Sequence, residues 1–280
     1  MSAGVVVRDG MSADEYHADD SLSSTGARKL LPPSCPAQFK HDREHPPAPK
    51  KEFDYGHAAH KLVLGDGPEL ALIDYANYLG GKAKAERDEA RAAGMVPLLR
   101  HEYEQVEAMA AAIRQHPIAG PLFKPDSGIA ERSIFWTDKV TGVRRRCRPD
   151  WLKELTELTI CADYKTIVDA SPEAVSKAIR DHGYHQQDPW YCDGLEAVGI
   201  PNARFVFAFQ SKKPPYLVTV RELDDLSRRI GRAKNDAALR VYADCTATDQ
   251  WPDWTGPVDD IPVISLPTWA AIKEAEEYLQ

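Results

Sequence analysis

Apolar positions along the chain recur first at helical spacing, then at every second residue, then at helical spacing again. Residues 11–50 are polar and proline-bearing, with one helical candidate at Ser24–Leu31 that Ser23 or Ser24 can cap. P-P-S-C-P and H-P-P-A-P-K-K mark turns or exposed extended chain beside it. Residues 1–50 are therefore expected to form a polar helical arm, and 51–280 a single larger domain. Tyr55–Leu64 reads as a helix closed by Gly65, with Ala59, Leu62 and Val63 as its apolar stripe and His60 beside them. Residues 68–97, charged and alanine-rich, read as a loop plus a helix. Glu102–His116 places Tyr103, Val106, Met109, Ala110 and Ile113 on one helical face, and Pro117 stops it.

The period then shortens to two. Ile129–Asp138 is the first expected strand, and Thr141-Gly142 turns it into a second over Val143–Lys153. A third, Leu158–Ile167, follows a short polar connection at Thr156-Glu157. Ser171 and Pro172 open a helix to about Asp181, with Gly183 as its stop. The next helix, Tyr184–Val198, contains Pro189, which is expected to kink it or shift its start. Arg204–Gln210 and Tyr216–Glu222 form a hairpin, and helices over Leu223–Tyr242 and Thr268–Leu279 end the chain. Such an order predicts an α/β fold with a mixed central β-sheet flanked by helices.

Composition narrows the class. With 280 residues, 43% hydrophobic and 28% charged, the chain has the make-up of a soluble globular protein. No apolar run approaches a membrane span, and MSAGVVVRDG lacks the apolar core of a signal peptide, so a cytoplasmic location is expected. The five cysteines are scattered, odd in number and without a C-x-x-C pair, which argues against a disulfide framework, a zinc site or an iron–sulfur cluster. A net charge of −8 counts against a broad nucleic-acid-binding face. Positive charge is nevertheless local: Arg144, Arg145, Arg146 and Arg148 stand directly before Asp150, and Lys82, Lys84 and Arg87 form a second basic stretch.

The candidate chemistry sits in the strand hairpin. Folding Leu158–Ile167 back on Val143–Lys153 brings Asp163 near Asp150, and strand alternation puts Asp163 and Lys165 on one face. Two carboxylates and an ammonium suit a divalent cation and an attacking water, with the lysine positioning that water or stabilising charge on a phosphate. An isolated Asp-x-Lys in a strand is ordinarily a solvated edge with a weak ion pair, so the surroundings decide.

Those surroundings resemble the PD-(D/E)xK nuclease superfamily, its RecB-like branch, and within it phage and prophage exonucleases of the RecE (exonuclease VIII) type. Gly56-x-x-x-His60, Glu131, Arg148-Pro149-Asp150, Asp163-Tyr164-Lys165-Thr166 and Gln187-x-x-x-Tyr191 follow in family order over residues 20–210. The resemblance implies a restriction-endonuclease-like core in which Asp150 and Asp163 hold the metal, with the Tyr164 carbonyl as a further oxygen. It has His60 and Glu131 complete or orient the metal site, Lys165 act on the water, and Gln187 and Tyr191 support the site or touch the DNA backbone. Asp163 departs from the glutamate that many relatives carry there, which shortens its reach by one methylene.

By the same resemblance the expected activity is Mg²⁺- or Mn²⁺-dependent 5′→3′ digestion of double-stranded DNA from its ends, exposing 3′ single strands for recombination. A single-strand annealing protein is the expected partner, and the expected assembly is a homo-oligomeric ring. The Arg144–Arg148 cluster is expected to meet DNA. The rival readings are an inactive nucleic-acid-binding module of the same fold and a sequence- or structure-specific endonuclease.

Overall fold

The structure, a computed structural model, describes residues 4–45, 51–255, 261 and 263–279; the expected extended chain at 46–50 lies outside them. Its first elements are β1 (Val6–Arg8), α1 (Ala13–Ala18), β2 (Leu22–Ser23), α2 (Ser24–Lys29), α3 (Pro36–Glu44) and α4 (Lys51–Leu64). Then come β3 (Leu70–Ile73), α5 (Gly81–Ala92), β4 (Val96–Leu99), α6 (Arg100–Gln115) and α7 (Ala119–Leu122). The strand-rich middle holds β5 (Ile129–Ala130), β6 (Ser133–Thr137), β7 (Arg144–Cys147), β8 (Trp151–Glu154) and β9 (Thr159–Ile167). After it follow α8 (Pro172–Asp181), α9 (Tyr184–Ala197), β10 (Ala203–Ser211), β11 (Val218–Arg221), α10 (Asp225–Thr248) and α11 (Thr268–Tyr278).

A five-stranded mixed sheet, ordered β11-β10-β9-β8-β5, carries the molecule. β9 and β10 run parallel through the α8–α9 crossover, while β8 and β11 pair antiparallel to their neighbours. Alternation along the two long strands builds both cores. Cys161, Phe205, Phe207 and Phe209 face α2, α9 and α10, where Ala27, Trp190, Leu195 and Leu239 bury them. Ala162, Tyr164, Val206 and Ala208 face the other way, onto Val63 of α4 and Val106, Met109 and Ile113 of α6. Each fully buried phenylalanine contributes about 1.5–3 kcal/mol, so this sheet is held rigidly between its layers. The expected α/β architecture is what forms.

Two expected strands are broken, and at the same place. Ile129–Asp138 divides into β5 and β6 around Glu131, and Val143–Lys153 divides into β7 and β8 around Arg148–Asp150. β5 and β8 belong to the five-stranded sheet, whereas β6 and β7 belong to a four-stranded sheet ordered β1-β6-β7-β2. One long hairpin therefore bends from sheet to sheet, still pinned at the bend by Glu131 N–H donating to the Asp150 carbonyl at 3.2 Å. Pro149 cannot donate a ladder hydrogen bond, and Glu131 sits at φ +50°, in the left-handed region that non-glycine residues avoid. The bend thus carries local strain, and it places two acidic side chains at the fold line.

Other differences are smaller. The 1–50 stretch also supplies β1 and β2, which pair with β6 and β7 at the sheet's two edges. Residues 68–97 contain a parallel pair, β3 and β4, around the expected helix. Helix α9 starts at Tyr184 and passes through Pro189. The proline leaves the His185 carbonyl without its helical donor, and α10 closes over that carbonyl at Gly231, where an added Cβ would lie 1.7 Å from it. Asn235 of α10 also donates to the Gln186 carbonyl at 2.8 Å, so a neighbouring helix supports α9 where proline weakens it.

Candidate active site

Residues from β9, the β5–β6 and β7–β8 bends, α4 and α9 converge where β5 and β8 stop beside the middle of β9. The hairpin register pairs Trp151 with Ala162, which sets Asp150 beside Asp163. Asp150 accepts a hydrogen bond from Tyr164 N–H at 2.7 Å. His60 Nδ1 of α4 lies 3.9 Å from Asp150 Oδ2, and its ring packs 5.2 Å from that of Tyr164. His60, Glu131 and Asp150 each offer a ligand atom, all within 4.8 Å of one another.

Asp163 is held differently. Its carboxylate receives Gln187 Nε2 at 2.5 Å on one oxygen and Lys165 Nζ at 2.5 Å on the other. The expected pairing of Asp163 with Lys165 on one strand face is present. Asp163 lies next to the His60–Glu131–Asp150 group without joining it, because both its oxygens are engaged and its side chain is a methylene shorter than glutamate. Tyr164 brings its backbone to the site: its N–H holds Asp150 and its backbone also hydrogen-bonds His60. The phenol points away, donating to Gln210 within the α6 side of the core.

Electrostatics mark the cluster as carboxylates crowded without enough positive charge. Burial, then the neighbouring Asp150 carboxylate, pushes Glu131 from an ordinary 4.5 to about 7, against the opposing pull of Arg148. Asp150 is pushed well above the usual carboxylate range by burial and then by Asp163. Burial depresses His60, leaving a neutral imidazole of the kind that ligates metals. Burial also pulls Lys165 down, but Asp163, Tyr184 and Asp150 push it up harder, so it stays an ammonium at neutral pH.

The arginine cluster departs most from expectation. Arg145 is buried, stacked 4.0 Å from the Trp190 ring centroid and 4.7 Å from that of Trp136, with ion pairs to Asp193 at 3.0 Å and Asp138 at 3.4 Å. Arg146 is buried over Tyr16 and donates to the Asp19 carbonyl. Arg148 bonds the Met11 carbonyl at 2.9 Å and pairs with Glu131 at 2.6 Å. These three are therefore framework and positioning residues, not a DNA-facing patch, because strand β7 lies between α1 and α9 and its arginines fill the space between them. Only Arg144 of the four is exposed.

Tyr191 is half-buried and packs edge-on against Phe205 at 5.6 Å, so it supports the α9–sheet contact from the core side. Gln187, four residues earlier, is the member of that pair that touches the acidic cluster. Sequence reasoning missed Arg28. From α2 it reaches the Gly183 carbonyl at 3.4 Å and stacks 5.9 Å from the Tyr184 ring, the ring that Lys165 also approaches at 4.5 Å.

The sequence pattern of the family described as a PDDEXK-like domain of unknown function (DUF3799) matches residues 23–261. The chain belongs to that family. Its fold is also that of a solved structure, a provisionally named exonuclease from Eubacterium rectale, at 9% identity and a TM-score of 0.60, covering 95% of this chain and 98% of that one. A second solved structure, SSO0001, overlaps 72% of this chain and 88% of its own at 13% identity, but its TM-score of 0.30 carries no weight. No curated protein matches the sequence. Membership of the PDDEXK-like family agrees with the superfamily that the motifs resemble; it does not extend to the RecE-type branch. Among the described residues no helix is long and apolar enough to cross a membrane.

The residues present fit a hard divalent cation. Glu131, Asp150 and the neutral His60 would hold it, with Asp163 adjoining, and the raised affinities of the two crowded carboxylates for protons show a site that gains from positive charge.

Proposed function

We propose that the protein is a Mg²⁺-dependent deoxyribonuclease, acting as a 5′→3′ exonuclease on double-stranded DNA and leaving 3′ single-stranded tails for recombination. The observation that carries the reading is the convergence of Asp163 and Lys165 of β9 with Asp150, Glu131 and His60 from the two bends and α4. A protein with no use for the site would gain stability by replacing these crowded acids. Oxygen-rich ligation with one imidazole favours Mg²⁺ or Mn²⁺. Such a cation supplies a polarised phosphoryl oxygen and a more acidic water.

The chain's own residues do the rest. Lys165, charged and fixed against Asp163, presents an ammonium that orients the attacking water or offsets charge building on the phosphate. Gln187 fixes the Asp163 carboxylate, and Tyr164 N–H fixes Asp150, so neither acid needs reorganising when the phosphate arrives. Arg148 holds Glu131 at the bend.

The polarity, the recombination role, a single-strand annealing partner and a ring assembly rest on the motif resemblance. A ring is supported further by the net charge of −8, since an acidic exterior repels DNA and a closed lining can gather the basic residues. With Arg145, Arg146 and Arg148 committed internally, that lining would draw on Arg144, Lys82, Lys84 and Arg28 instead. Digestion of a linear duplex labelled at one 5′ end or one 3′ end, beside a covalently closed circle, tests the reading. Early mononucleotide release from the 5′ label and an intact circle are expected; cutting of the circle would establish an endonuclease.

A further inference from the structure

Arg28 is a half-buried cation that forms no ion pair among the described residues. Burial depresses its guanidinium, outweighing the upward pulls of Tyr191, Tyr184 and the Asp163 carboxylate. Its bonds are to neutral oxygens, the Thr25 hydroxyl at 2.8 Å and the Gly183 carbonyl at 3.4 Å. An arginine in this situation is costly to keep unless an anion completes it.

Its position says which anion. Lys165 and Arg28 share the Tyr184 ring, at 4.5 and 5.9 Å from its centroid, so one ring holds both cations close to Asp163. One nucleotide strand rises about 3.4 Å per residue, so a backbone that places one phosphate at Lys165 brings a neighbouring one within reach of Arg28. Gly183 makes room for the Arg28 side chain. Its φ of +64° suits glycine, and a Cβ there would stand 2.7 Å from Arg28 Cδ.

We propose that Arg28 binds the backbone phosphate next to the scissile one, and that Tyr184 sets the spacing between this subsite and Lys165. The inference rests on the nuclease reading for the identity of its ligand, a DNA phosphodiester. Arginine's planar donors suit two phosphate oxygens, which makes the site a register for the strand as well as a charge.

Binding in Ca²⁺, without turnover, tests the subsite separately from catalysis. The probes are linear duplexes each carrying a single neutral methylphosphonate at a different position near one end, measured by fluorescence anisotropy against wild type, Arg28→Gln and Arg28→Lys. For wild type, one position adjacent to the scissile phosphate should lose about tenfold in affinity, as expected for a lost charge-assisted hydrogen bond. Arg28→Gln should bind the unmodified duplex about tenfold more weakly, show no further loss at that position, and lower the salt slope by about 0.9. Arg28→Lys should recover part of the affinity and the salt slope.

Wild type needs no altered fold for its part of the test, so a position-specific loss there stands even if Arg28→Gln is unstable. If wild type shows the loss but cleaves nothing in Mg²⁺, the subsite holds and the nuclease reading falls. If wild type cleaves but no single position matters, or Arg28→Gln retains full affinity and the same position dependence, the subsite is refuted.

Discussion

Replacing Glu131 with glutamine should stabilise the metal-free protein increasingly as pH rises from about 4.5 to 7, with the gain level above that. Glu131 is pushed from 4.5 to about 7 by burial and by Asp150, so the folded state favours its protonated form. The corresponding stability is present below pH 4.5 and is lost as pH rises through about 7. At 1.36 kcal/mol per tenfold change, the full loss is about 3 kcal/mol; with the side chain 21% exposed, about 2 kcal/mol is a sounder expectation. Glutamine cannot ionise and escapes this loss, while its unpaired Arg148 meets a neutral side chain much as it meets protonated Glu131 at low pH.

The assay is urea unfolding followed by tryptophan fluorescence in EDTA, at several pH values from 5 to 8. Near pH 5 the variant should match wild type or fall slightly below it. By pH 8 it should gain about 2 kcal/mol relative to wild type, roughly a few degrees in Tm. Adding Mg²⁺ or Mn²⁺ at pH 8 should then stabilise wild type and leave Glu131→Gln nearly unchanged, because cation binding offsets the same repulsion. Parallel pH profiles for the two proteins would refute the electrostatic account of the bend.

Other expectations follow from the same geometry. Cation affinity, measured by calorimetry with Mn²⁺, should rise with pH across about 6 to 8, since binding displaces the proton from Glu131, whose affinity is centred near 7. Arg145→Ala should destabilise the fold by about 3 kcal/mol in chemical denaturation, because it removes the ion pair of Asp138 and one of the two of Asp193, which keeps Arg232, and empties the Trp136–Trp190 stack. A weakened DNA salt dependence in a stable Arg145→Ala protein would instead restore the DNA-facing reading of that arginine. A variant with all five cysteines replaced by serine or alanine, provided it folds, should retain metal binding and digestion; stoichiometric zinc or iron in the purified wild type would overturn this. Light scattering of the active protein should give a closed oligomer, and a fully active, distributive monomer would rule out the ring.

Much of the site was legible because it obeys local rules. Period-two alternation placed Asp163 and Lys165 on one face, and the short connection at Thr156-Glu157 fixed a hairpin that brings Asp150 alongside. Ser171 and Gly183 bounded α8 through capping chemistry that needs no tertiary context. The bend was harder. Pro149 was a visible signal, but the left-handed backbone of Glu131 and the passage of one hairpin into two sheets depend on how β1, β2 and α1 pack.

Arg145, Arg146 and Arg148 depart from the expected DNA-facing role because charge along a sequence does not show its partners. Their counter-ions and aromatic platforms, Asp193, Asp138, Trp190 and Tyr16, come from elements far away in sequence. Arg28 was invisible for the same reason, since the Gly183 and Tyr184 that define its place lie about 155 residues along. Pro189 is a local signal for a kink or a shifted start, yet α9 runs unbroken from Tyr184 to Ala197, with α10 close against the His185 carbonyl at Gly231.

The central claim is that phosphodiester hydrolysis depends on a cation at the Asp150–Glu131–His60 cluster and on the Lys165 ammonium. Nucleotide release from a uniformly labelled linear duplex, compared for wild type, Asp150→Asn and Lys165→Ala in Mg²⁺ and in excess EDTA, measures it directly. The account predicts release by wild type in Mg²⁺ alone. Asp150→Asn should lose Mn²⁺ binding and activity together. Lys165→Ala should keep its fold and Mn²⁺ affinity but turn over about a hundredfold or more slowly. Undiminished release in EDTA, or a Lys165→Ala rate equal to wild type, would contradict it.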